Sequence, residues 1–166
     1  MRTIAYLILA YVALGAQVGL GAFITVGGAP PNLVLLAALF LALNAPREPA
    51  LMGCFGLGLM QDMLTQQSLG IFALSYGLVA MFVISTQQLV YREHPLTHVS
   101  IAFSASLIVA VITILHGLFR LDSEQRVAIS KLFYVMLYTT ALSPIVLGLL
   151  QKLRKAFGFQ TRRLRV

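Results

Sequence analysis

Hydrophobic residues run through this chain in long blocks, and polar positions gather into short interruptions between them. Six blocks predict six helices: Thr3–Val26, Leu33–Asn44 opened by Pro31 or Asn32, Pro49–Leu64, Leu69–Tyr91, Thr97–Phe119 and Ala128–Leu150. The interruptions carry turn chemistry. GGAPPN (27–32) sets proline at the opening of the second helix, where its missing N–H is harmless. NAPREP (44–49) is long enough only for a hairpin turn, and TQQS (65–68) is polar but uncharged.

The second and third blocks are short. A helix from Pro31 to Asn44, or from Pro49 to Asp62, rises about 20 Å, against about 30 Å for the hydrocarbon core of a bilayer. Two neighbouring helices are therefore expected to reach only part-way across. Irregular backbone at membrane depth is tolerated where protein or water covers it. The segments at the short ends are thus expected to line a recess and to offer a partner-binding site. Its candidate residues are Pro31, Asn32, Gly56, Gly58, Gln61, Asp62, Gln66, Gln67 and Gly70.

Composition fixes the class. Hydrophobic residues make up 59% and charged residues 10%, with a mean hydropathy of +0.89, where a soluble domain carries about 25% charge. The chain reads as an all-α polytopic membrane protein with one six-helix domain over residues 1–150 and a basic tail over 151–166. Its one cysteine, Cys54, excludes an internal disulfide and a cysteine-based metal site. The net charge of +7 does not point to nucleic acid, because half of the 12 basic residues lie in the tail. Those six are Lys152, Arg154, Lys155, Arg162, Arg163 and Arg165, suited to anionic lipid headgroups. With six crossings and a cytoplasmic N-terminus, they share one side with Arg2, Arg47 and Arg92; only Arg120, Arg126 and Lys131 face the other. Both termini are expected in the cytoplasm. The recess then opens outward.

Asp62 is the position most out of place, since a charged side chain at mid-bilayer costs about 2.5–3.5 kcal/mol on insertion scales. It reads either as an anchor for a partner, ligand or proton, or as a structural group that caps a helix end or forms an internal ion pair with Lys131. Gly15 and Gly19, four apart on the first helix, predict a face for close helix packing. Gln17 between them reads as a satisfied amide. Pro144 lies inside the sixth helix, so the carbonyl it frees is expected to find a neighbouring donor. No nucleophile–base constellation, phosphate-binding glycine loop or metal cluster presents itself, so neither enzymatic activity nor a cofactor is expected.

The order PPN (30–32), a short apolar helix, the PREP turn (46–49), then G-x-x-G-x-G-x-x-x-D (Gly53, Gly56, Gly58, Asp62) and LGxxAL (69–74) resembles the bacterial rod shape-determining protein MreD family. Length, helix count and basic tail agree. Asn32 departs from the pattern, since an acidic residue is expected there in relatives. The resemblance implies a non-enzymatic inner-membrane subunit of the cell-elongation complex that helps organise peptidoglycan synthesis. Its implied direct partner is the single-span protein MreC, with MreB, RodA and a class B penicillin-binding transpeptidase in the same assembly. It also implies a fold like the substrate-binding subunits of energy-coupling-factor transporters. The competing reading is a solute-binding subunit of such a vitamin transporter. Against it, the first helix lacks an Ala-x-x-x-Ala pair, and the expected recess is poor in groups that would grip a vitamin.

Overall fold

A computed structural model of the chain describes residues 2–19, 23, 25, 30–65, 69–86, 95–120 and 125–153. These form six helices: α1 (Arg2–Gly19), α2 (Leu33–Asn44), α3 (Arg47–Thr65), α4 (Ile71–Thr86), α5 (Pro95–Arg120) and α6 (Gln125–Leu153). Two of them contain stretches long and apolar enough to cross a membrane, Thr97–Leu118 and Ser130–Lys152. Tyr6–Gly19, Leu33–Asn44 and Ile71–Thr86 are apolar but shorter.

α2 is the axis of the fold. Its sequence, LVLLAALFLALN, has no polar face, and a helix apolar all round must be enclosed. Every residue from Val34 to Leu43 is buried, because α2 packs against each of the other five helices. Around it, α3, α4, α5 and α6 follow one another in chain order, each against the next, while α1 lies against α2 and α3. Cys54 of α3 joins this core as a small apolar group whose thiol donates to the Ala38 carbonyl at 3.2 Å. The outer faces are just as apolar: Tyr11, Met52, Phe55, Met81, Val111 and Leu149 are all exposed. An apolar exterior over an apolar core is what lipid, not water, permits.

The two short helices expected from the sequence are one. α2, at 12 residues, rises about 18 Å, but α3 takes in Arg47 and Glu48 of the turn and reaches 19 residues, about 28 Å. The turn could be absorbed because Pro49 falls in the first helical turn, where no intrahelical N–H is needed. Gly15 and Gly19, where close helix packing is expected, face open space on the described part of the chain. Among the described residues, no atom comes within 4 Å of a Cβ placed at either one. α1 instead turns Leu9, Ala10 and Ala13 inward. Pro144 removes the N–H that would reach the Thr140 carbonyl, and the Ser143 hydroxyl donates to that carbonyl at 2.7 Å in its place.

Phe40 is fully enclosed at the centre of α2, whereas Phe55 of α3 is about half exposed on the outer face. Phe40→Ala is expected to lower the unfolding free energy by about 3–5 kcal/mol. Phe55→Ala should change it by no more than about 0.5 kcal/mol. Equilibrium unfolding in mixed micelles compares the two, and equal losses would deny α2 its central place.

Candidate functional site: buried helix starts and the cluster that closes them

A helix start leaves its first four backbone N–H groups without intrahelical partners, and in an apolar surrounding each must be supplied. α2 and α4 both begin in such surroundings. Asn32 precedes α2 and is buried, and its backbone N–H donates to Thr139 Oγ1 at 2.9 Å. Thr139 stands at the midpoint of α6, so α2 starts level with the middle of the longest helix. At 12 residues, α2 is the short apolar helix expected from the sequence.

Four polar side chains serve that start. Asn32 Oδ1 accepts from the Leu35 N–H at 2.9 Å, the usual N-cap bond. Gln17 of α1 accepts from the Leu33 N–H at 2.7 Å, which makes its amide a cap contributed by another helix. Thr139 takes the Asn32 N–H. Tyr76 of α4, wholly buried, shares its hydroxyl hydrogen between Gln61 Oε1 at 2.7 Å and Asn32 Oδ1 at 3.0 Å. A longer contact of 3.5 Å runs from Gln61 Nε2 to the same Asn32 oxygen. Asn32 is thus the hub through which α2, α3, α4 and α6 meet.

Asp62 does for α4 what Asn32 does for α2. Its two oxygens accept from three backbone N–H groups: Gly70 at 3.0 Å, Phe72 at 3.0 Å and Ala73 at 3.1 Å. Gly70 holds the N-cap position, since its carbonyl accepts the Leu74 N–H at 2.9 Å. Three of the four open donors of α4 therefore end on one carboxylate, which also carries the charge that a helix N-terminus favours. Two features make this reach possible. Gly70 adopts φ 106°, a left-handed conformation that brings the chain round from α3 into α4. Gly58, one turn before Asp62, lets the start of α4 press directly against α3. A Cβ at Gly58 would collide with the Phe72 carbonyl and lie 2.6 Å from Ala73 Cα. Gly-x-x-x-Asp is thus one device: the glycine admits the α4 backbone and the aspartate closes it.

The structure alters the expected pairing of Asp62 and shows how the other candidate residues are engaged. No ion pair joins Asp62 to Lys131 among the described residues. Lys131 lies exposed near the start of α6, and α6 does not pack against α3. The carboxylate is held by backbone dipoles instead, the capping role that the sequence left open. Pro31, Asn32, Gly58, Gln61 and Asp62 are buried, Gly56 and Gly70 partly so, and the polar ones bond inward. The buried helix starts engage most of their hydrogen-bonding capacity. Gln66 and Gln67 lie outside the described residues, as do Arg154, Lys155, Arg162, Arg163 and Arg165; Lys152, in the last turn of α6, is exposed. Tyr76 and Thr139 were not singled out from the sequence. Tyr76 carried a signal, a phenol amid apolar helix that must find a partner when buried. Thr139 carried none, since a lone threonine in a helix usually bonds its own preceding turn.

Asp62→Leu strands three donors and is expected to cost at least about 3 kcal/mol of stability. Asp62→Asn keeps one acceptor oxygen and should lose about 1–2 kcal/mol. Gly58→Ala should destabilise comparably to Asp62→Leu. Gly56→Ala, with nothing within 4 Å of its Cβ, should be silent or slightly stabilising. Unfolding titrations of the four variants check this order, and a silent Gly58→Ala would break the link between glycine and cap.

Comparison with known proteins yields one match, to a family. The sequence pattern of the rod shape-determining protein MreD matches residues 1–153. No curated protein matches, and no solved structure does. The matched stretch takes in all six helices, including Gly58, Asp62 and the hub at Asn32. By this match over most of its length, the chain belongs to the rod shape-determining protein MreD family, a family of membrane proteins.

Proposed function

We propose that the protein is a non-enzymatic, multi-pass subunit of the bacterial cell-elongation complex, seated in the cytoplasmic membrane with both termini inside. Membership of the MreD family carries this reading, since it implies a role in rod shape determination. The finer part is our own: the chain binds MreC and, with MreB, RodA and a class B penicillin-binding transpeptidase, helps organise peptidoglycan synthesis. The proposed topology rests on charge, with Arg2, Arg47, Arg92 and the tail's six basic residues set against Arg120, Arg126 and Lys131.

The contact face we assign to MreC is α1. The inward cluster around Asn32 and Asp62 is occupied by its own bonds and offers a partner little. Among the described residues, α1 packs on α2 and α3 and leaves Gly15 and Gly19 uncovered beside exposed Tyr11, Val12 and Val18. Small residues with open space beside them let a single-span helix approach closely. A solute-binding subunit of an energy-coupling-factor transporter fits less well. Against it, the first helix carries no Ala-x-x-x-Ala pair of the kind such subunits present to a transport partner.

Co-expression of tagged protein with MreC, followed by mild extraction, tests the reading. MreC should co-purify, and Gly15→Ile with Gly19→Ile should cut its recovery on the order of tenfold, a change of about 1.4 kcal/mol. The melting temperature of that double variant should stay that of the parent. Purification without MreC sinks the partner assignment; retention of MreC by the double variant sinks the α1 face alone.

A further inference from the structure

The polar cluster at the start of α2 ties in α3, α4 and α6 but stops short of α5. Between them lies a partly open cavity of ≈ 20 Å³, lined by Asn32 at the cap of α2, Leu35 of α2, Ser106 and Val109 of α5, and Met136 and Thr139 of α6, among others. Its walls are mainly aliphatic, yet three of its residues hold unused hydrogen-bonding capacity. Ser106 Oγ is buried with no partner. Thr139 Oγ1 accepts the Asn32 N–H, and among the described residues its own hydrogen goes to no acceptor. Asn32 engages its N–H and Oδ1, while its Nδ2 group donates to nothing described.

Buried hydroxyls and amides without partners are costly, and an ordered water making about three hydrogen bonds is the common remedy. A void of about 10–15 Å³ accommodates one water, so ≈ 20 Å³ is room for one and not for two. The complement of groups also fits a single water. Its lone pairs accept from Asn32 Nδ2 and from the Thr139 hydroxyl, and one of its hydrogens goes to Ser106 Oγ. We propose that this cavity is a binding site for one structural water, held by Asn32, Thr139 and Ser106. With it in place, a continuous polar thread runs from Tyr76 through Gln61, Asn32 and Thr139 to the water and Ser106. That thread crosses five helices, α2 to α6, and fixes α5 to the hub that the direct bonds leave it outside.

Ser106→Ala in the full chain, melted in lipid nanodiscs, separates a wet site from a dry one by sign. A bound water loses a partner, and the melting temperature should fall by about 2–4 °C. An empty cavity instead loses an unsatisfied hydroxyl, and the temperature should rise. A rise, or no change, overturns the proposal. As a second readout, the methyl groups of Val109 and Val135, both in the cavity wall, should show nuclear Overhauser and rotating-frame cross-peaks of opposite sign to water in the unsubstituted protein. Absence of those cross-peaks overturns it equally.

Discussion

A helix that begins away from water has backbone N–H groups with nowhere to turn, and this fold is arranged around two such beginnings. At α4, three donors converge on the Asp62 carboxylate. At α2, Asn32, Gln17 and Thr139 divide the task, each from a different part of the chain. Hydrophobic burial would hold such helices together only loosely, since lipid tails are as apolar as leucine. The directional bonds set register. α3 cannot slide along α4 without pulling a carboxylate off its donors, and α2 cannot rotate without breaking the hub at Asn32.

The same constraint explains where the glycines matter. Gly58 is needed because the carboxylate one turn later must come within hydrogen-bond reach of another helix's first turn. Gly53 is a milder case: a Cβ there meets only the flexible end of Leu41. Around Gly15, Gly19 and Gly56 the described residues leave open space. Similar spacing in the sequence thus covers three situations, a backbone contact, an accommodating side chain and an open face. Only the first is a demand of the fold.

Much of this was legible in the amino-acid sequence, and the failures share a cause. Hydrophobic blocks and turn residues located six helices, and the short block before Asn44 located the helix that starts at mid-depth. The misfit of Asp62 in apolar sequence marked it correctly as consequential. Its partner was misjudged because a cation is visible in a sequence, whereas a cluster of backbone donors is not. Thr139 went unseen for a related reason: its contact spans 107 positions and depends on two helices meeting at one depth. The polar residues read as a recess lining prove to be engaged at the buried helix starts, a use that spacing along a sequence does not display. The length of α3 was missed by two residues at its start, where a proline is as compatible with helix as with turn.

That 107-residue separation has a bearing on biogenesis. The chain leaves the ribosome from its N-terminus, so α2 is made long before α6 exists. Until Thr139 emerges, the Asn32 N–H has no acceptor from that quarter, and α2 has one side uncovered. The innermost helix is therefore the last to be sealed. A nascent chain halted before the sixth helix would hold an open donor at its core, the Asn32 N–H that Thr139 otherwise takes.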